Sequence, residues 1–137
     1  MNNEIFKYIK ELELNPPAAQ DVLKDLENNK NITLPKDYME FMLYSNGAEG
    51  KIGPKSYLSI WPAEQILELN DEYEVKEFTP SLLYFGSDGG DMAYAFDFSD
   101  PTIKIVEYPF VSIHSEDKRI CGNSFEEFLS FLFNQAH

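Results

Sequence analysis

Cysteine, arginine and long apolar runs are all scarce in this chain. Cys121 is the only cysteine among 137 residues, so no internal disulfide can form, and a reducing compartment is the expectation. Arg119 is the only arginine. The 11 basic residues face 24 acidic ones, for a formal net charge of −13. A surface of that sign repels phosphate backbones and anionic lipid, so neither nucleic acid nor a membrane surface is expected as a partner. No apolar segment is long enough to cross a bilayer. Met1 to Leu14 carries Glu4, Glu11 and Glu13, where a signal peptide would have a basic head and an unbroken apolar run. A cytoplasmic protein is expected.

What the chain does have is apolar and aromatic residues, 43% and 15% of the total, including eleven Phe and eight Tyr. That is enough for a real core without disulfides or metals. No repeat, low-complexity tract or long linker divides the sequence, so one domain over residues 1–137 is expected.

Helical spacing dominates the first third. Ile5, Ile9 and Leu12 predict a first helix, stopped at Pro16-Pro17, where two N–H donors are missing. Ala19, Val22, Leu23 and Leu26 predict a second amphipathic helix. Leu34 to Gly47 writes a third: Pro35 suits the first helical position, Tyr38, Phe41, Met42 and Ser45 share a face, and Gly47 suits a left-handed stop.

The period then changes. Gly50, Gly53 and Pro54 mark a turn-rich stretch. Tyr57 to Trp61 alternates like a strand, and Pro62 opens a helix carrying Ala63, Ile66, Leu67 and Asn70. Leu82 to Phe85 and Met92 to Phe98 predict a hairpin around Gly86 to Asp91, whose Asp-Gly and Gly-Gly steps allow positive φ. Ile103 to Tyr108 is a further β-branched strand, with Phe110 to Ile113 as a candidate edge. Ser124 and Glu127 write a capping box for a last helix with Phe125, Phe128, Leu129 and Leu132 on its stripe. Phe131 and Phe133 make that helix apolar nearly all round, so it should pack on more than one side. Helices first, strands next and a helix last give an α+β domain.

Little in the sequence looks catalytic. Ser87-Asp88-Gly89-Gly90-Asp91 has carboxylates and glycines, but no acidic residue closes a twelve-residue calcium loop, and a hairpin turn is the simpler reading. His114 is the only internal histidine, and neither Ser45 nor Cys121 sits in a nucleophile motif. Cys121 reads as a small apolar filler. No glycine loop cradles phosphate ahead of a helix. No catalytic residue, metal site or cofactor is therefore assigned.

The acidic residues are the remaining candidates. Residues 63–78 hold Glu64, Glu68, Asp71, Glu72, Glu74 and Glu77 against Lys76, and residues 85–101 hold Asp88, Asp91, Asp97 and Asp100 with no base. These segments contribute −5 and −4 of the net −13. Glu64 and Glu68 are one helical turn apart, where like charges repel and a cationic partner would relieve them. The competing reading is a solvated face that only keeps the chain soluble. On the first reading the partner-binding residues are Glu64, Glu68, Asp71, Glu72, Asp88, Asp91, Asp97 and Asp100.

Leu34-Pro35 with Asp37-Tyr38, Phe41 and Asn46-Gly47 is followed by Trp61, Ile66 and Asn70. Then come Phe85-Gly86-Ser87-Asp88-Gly89-Gly90, Tyr94-Ala95-Phe96-Asp97, and Ser124-Phe125 with Phe128-Leu129. In this order and spacing the chain resembles the SUKH superfamily, which includes bacterial immunity proteins of polymorphic toxin systems and a fungal regulator of cell-wall synthesis. The resemblance runs from about Leu34 to the C-terminus, and the helices before Leu34 are expected to be included. It implies a central, curved, largely antiparallel sheet flanked by N-terminal helices and a C-terminal helix, and no catalysis. It also implies a protein partner. For an immunity protein that partner is a cognate toxin, expected to be a basic nuclease domain, since nucleases bind phosphate backbones; for a relative of the fungal regulator it is an endogenous protein held by a scaffold. A carboxylate-and-metal enzyme is the third possibility, and a millimolar metal affinity without turnover would count against it.

Overall fold

The computed structural model describes residues 1–111 and 117–135. Its elements are α1 (Asn3–Tyr8), β1 (Leu12–Leu14), α2 (Gln20–Lys30), α3 (Lys36–Tyr44), β2 (Ala48–Ile52), β3 (Ser56–Ile60), α4 (Ala63–Glu72), α5 (Val75–Phe78), β4 (Leu82–Ser87), β5 (Met92–Asp97), β6 (Lys104–Pro109), β7 (Arg119–Gly122) and α6 (Phe125–Phe133). The seven strands form one sheet in chain order, and every neighbouring pair is antiparallel. The expected α+β domain, an antiparallel sheet with helices at both ends of the chain, is the one observed, although β1 falls between α1 and α2, and α4 and α5 fall between β3 and β4.

Successive residues of a strand point to opposite faces, and β4 uses both. Phe85 faces α3 and α6, stacking on Phe96 at 4.3 Å and meeting Tyr38 and Phe128 at 5.6 Å each. Tyr84 faces the other way, towards Tyr73 at 6.4 Å and Phe110 at 5.8 Å. Both faces of the sheet's centre are therefore covered, which is why every residue of β4 is buried. Tyr38, Phe41, Phe85, Phe96, Phe125 and Phe128 are fully buried together. Among the described residues the Tyr38 hydroxyl is the one buried side-chain polar atom without a hydrogen-bond partner. Helix α6 touches α1, α3, β2, β3 and β7, as its all-round apolar surface requires. The Ser124 Oγ accepts from the Glu127 N–H at 3.1 Å, while the Glu127 Oε1 accepts from Asn123, one residue ahead of the cap.

Several elements differ from the sequence pattern. The first helix stops at Tyr8, and Leu12 belongs to β1, where it stays buried by pairing with Gly50 of β2. A residue at i+7 fits a helical stripe and an edge strand equally well, and here tertiary pairing decides. The stretch read as turns contains β2, and only residues 53–55 form the turn. Helix α5 and strand β7 carry no strong periodic signal. Phe110 and Val111 lie in a turn rather than an edge strand; Ser112, Ile113 and His114 lie outside the described residues. Pro35 is the cap of α3 rather than its first helical residue, and the helix ends at an extended Ser45 instead of a left-handed glycine.

Gly47 has a different task. At φ +82 it turns the chain beneath the end of β3, where an added Cβ would lie 2.5 Å from the Ile60 carbonyl oxygen and 2.9 Å from the Pro62 nitrogen. Only a glycine allows that backbone so close in that conformation.

Candidate functional site

Asn46, beside that glycine, joins α3 to α4. Pro62 has no side chain able to cap α4, so Asn46 caps it from elsewhere: its Oδ1 accepts from the Ala63 N–H at 2.8 Å. Its Nδ2 donates to Glu64 at 2.7 Å, and that hydrogen bond holds the Glu64 carboxyl below its usual pKa. Glu64 is exposed but anchored. Glu68, Asp71 and Glu72 are exposed along the same helix, and among the described residues none of them forms an ion pair.

The hairpin acids divide between two ends of the sheet. Asp88 and Asp91 sit at the β4–β5 turn. The Asp88 Oδ1 accepts from the Gly90 and Met92 N–H groups, and the Ser87 Oγ accepts from Gly89. These side chains brace the turn's own backbone, and among the described residues no cluster of His, Cys, Asp and Glu is arranged to hold a metal. Asp97 and Asp100 lie at the opposite end of β5, which at about 3.3 Å per residue is roughly 17 Å away. The Asp91 backbone is linked to the end of α4 through Phe110: the Phe110 N–H donates to the Asp91 carbonyl at 2.9 Å, and the Phe110 ring meets Tyr73, just past Glu72, at 4.5 Å.

Asp97 differs from the rest because it is buried. Its Oδ2 accepts from Lys118 at 2.7 Å, and its Oδ1 accepts from the Ser99 N–H and hydroxyl. Burial pushes the carboxyl pKa up, but these donors outweigh burial and hold it below the usual aspartate range. The stabilisation is complete above the unfolded value of ~3.9 and fades as pH falls through the lower folded one. Asp97→Asn should therefore cost about 1–3 kcal/mol at neutral pH, and its deficit should shrink in acid. Urea denaturation of both proteins between pH 7 and pH 3 checks this; a deficit that grows in acid would contradict it.

Cys121 is buried, which pushes its thiol pKa up to about 12. A thiol so held is a poor nucleophile.

The structure also assembles a group that no single stretch of sequence shows. On β1 to β3 the face carrying Leu58 and Ile60 lies under α6, while the other face is open and carries Glu13, Glu49, Lys51 and the 42% exposed Tyr57. Glu13 and Glu49 are directly opposite each other across the β1–β2 ladder. Cross-strand like charges are destabilising. The Tyr57 hydroxyl donates to Glu49, and this bond, with the Glu49 and Glu13 charges, pushes the phenol pKa up. A groove of about 580 Å³ runs here, lined by Glu11, Glu13, Glu49, Tyr57 and Pro62 among others, with no basic residue among the described residues of its lining. Asn15, also in the lining, donates to the Asn46 carbonyl, which connects the groove to the anchored Glu64. Glu11, Glu13 and Glu49 lie in sparse, mixed-charge stretches, so charge density along the chain gave no sign of them.

Comparison with known proteins gives a family and a distant relative. The sequence profile of the SMI1 / KNR4 family (SUKH-1) matches residues 17–130. The match begins ahead of Leu34 and takes in α2. The chain belongs to this family. It is also 34% identical over 70 residues to a Bacillus subtilis (strain 168) protein named "Uncharacterized protein YnaB". That alignment covers 51% of this chain and 44% of the relative's length. Among the described residues no helix is long and apolar enough to cross a membrane.

Proposed function

We propose, from membership of the SMI1 / KNR4 family, that this protein is a non-catalytic immunity protein. It would bind and neutralise a cognate toxin, a basic nuclease domain, by covering its active surface. The observation that carries the proposal is the row of exposed carboxylates on α4, Glu68, Asp71 and Glu72, which form no ion pair among the described residues, with Glu64 held at its head by Asn46. Asp91 extends the row past Phe110, Asp88 fixes the turn that presents Asp91, Asp100 is exposed at the far end, and Asp97 with Lys118 holds the strand end beneath it. A nuclease keeps a basic surface for its phosphate backbone, and an acidic protein competes for that surface. No bond is made or broken, so no base, nucleophile or metal is required.

Exposed charges of this kind act on encounter more than on the bound state. The test uses the C-terminal domain of a toxin gene lying beside this one, chosen for its basic charge. Neutralising Glu68, Asp71, Glu72 and Asp91 together, as Gln or Asn, should slow association about tenfold at low salt and flatten its salt dependence. The thermal midpoint should not fall. Association that keeps its rate and its salt dependence would sink the electrostatic mechanism. Absence of any complex would turn the assignment towards a scaffold for an endogenous protein.

A further inference from the structure

We propose that the uncovered face of β1 to β3 is the docking surface for an arginine-bearing segment of that basic partner. The proposal rests on the preceding reading for the partner's charge, but concerns a different part of the molecule, for which the α4 acids are only the approach.

Three features of the face point to this occupant. First, the sheet face is open here, whereas at its centre α3 and α6 cover one side and Tyr73 and Phe110 cover the other. The exposed residues alternate with the buried Leu58 and Ile60, so the groove is built on a β-sheet surface rather than on a loop. Second, its charge is arranged against the fold's own stability. Glu13 and Glu49 are held opposite each other by backbone register, and neither is paired with a cation among the described residues. A guanidinium seated between them would remove that repulsion. Lys51, across the ladder from Tyr57, bounds the acidic part on one side, so the cation's place is on the Glu13 and Glu49 side.

Third, Tyr57 offers an aromatic surface beside the carboxylates. It is steadied from two directions: its hydroxyl by Glu49, and its ring by the β4–β5 turn, where a Cβ added at Gly89 would lie 2.8 Å from the Tyr57 Cδ1. A planar guanidinium can pair with a carboxylate through two parallel hydrogen bonds and stack on an aromatic ring, which an ammonium cannot do equally well. The combination of facing carboxylates and a fixed ring therefore selects arginine over lysine. Pro62, in the groove's lining, is the residue before α4, and Asn15 of the lining donates to the Asn46 carbonyl, so the head of α4 adjoins the groove.

The proposal predicts opposite signs for stability and binding. Glu13→Gln with Glu49→Gln removes a repulsion, so the thermal midpoint should hold or rise. The same pair should make the complex with the neighbour-encoded basic domain dissociate about tenfold faster or more, with association changed less than about threefold. Tyr57→Ala should also speed dissociation. Unchanged dissociation in a complex that still forms would overturn the docking surface while leaving the immunity reading in place. If the wild-type chain forms no complex with that domain, the immunity reading fails for that pair, and a hexa-arginine peptide titrated into the isotope-labelled full chain tests the face alone. Amide shifts centred on Glu13, Glu49 and Tyr57, stronger than those caused by hexa-lysine, would support it. Shifts confined to α4, or equal responses to the two peptides, would overturn it.

Discussion

Asn70→Leu is expected to cost about 3–5 kcal/mol of folding stability, because it strands two buried backbone groups at once. Strand β3 pairs with β4 only through Ser59 and Ile60, with one more bond from the Trp61 N–H to the Phe85 carbonyl. The chain then leaves the sheet at Pro62. Beyond that point β4 has no neighbouring strand on this side among the described residues, and Asn70 takes the strand's place. Its Oδ1 accepts from the Tyr84 N–H at 2.9 Å, its Nδ2 donates to the Tyr84 carbonyl at 2.9 Å, and the same Nδ2 donates to Ile66 at 2.7 Å. A side-chain amide is the right shape because it sets an acceptor beside a donor, as a strand's backbone does, and has a second N–H left for Ile66.

Leucine fills similar space and satisfies neither group. Asn70→Asp separates the hydrogen bonds from packing. A carboxylate can accept from Tyr84 but repels the two carbonyls, and burial favours its protonated form. Its deficit relative to the wild type should therefore be large at neutral pH and narrow as acid protonates it and restores a donor. Denaturant titrations of both variants at pH 7 and pH 5 provide the measurement. A loss below about 1 kcal/mol for Asn70→Leu would mean that water reaches Tyr84 and that the substitute-strand account is wrong.

Asn70 also shows where the sequence was readable and where it was not. The spacing placed it on the inward stripe of α4, but nothing in the spacing said that it completes a sheet. Elements with local grammar were legible. Helix α6 has its Ser124 cap, the β4–β5 turn has glycines suited to positive φ, and α3 has Tyr38, Phe41 and Met42 at helical intervals. Strands β1 and β2 were not legible. One is three residues long and the other has Gly50 at its centre, so each exists because the other is there to pair with it. The Asn46-Gly47 step was visible as a chain stop, yet its work, capping α4 and passing beneath Ile60, is done at a distance.

The acidic residues repeat the point. Counting along the chain grouped Asp88, Asp91, Asp97 and Asp100, but a strand's length separates the first two from the last two, and Asp97 is buried in an ion pair. Glu13 and Glu49 are 36 positions apart in sequence and face each other in the sheet. Density of charge in sequence reports local repulsion; register decides which charges meet.

Trp61→Ala is the second large effect expected. Trp61 stands where β3 ends and α4 begins, is only 8% exposed, and stacks on Phe110 at 6.5 Å with the rings 18° apart. Phe110 in turn meets Tyr73 and Tyr84, so the indole closes one end of an aromatic row that fastens α4 and the β6 end to the sheet. Removing it deletes the largest side chain at that junction, and α4 cannot collapse into the space while Asn70 fixes it to Tyr84. The cost should be about 3–5 kcal/mol, and Trp61→Phe, which keeps a ring against Phe110, should lose less than half as much. Trp61 is the only tryptophan, so its variants lack the usual fluorescence signal and unfolding must be followed by far-ultraviolet circular dichroism. Because the indole is buried against Phe110 rather than on the surface, Trp61→Phe should leave partner dissociation unchanged wherever the chain is folded. A variant with native stability and lost binding would instead make Trp61 a contact residue, and would move the docking surface from the β1 to β3 face towards the α4 junction.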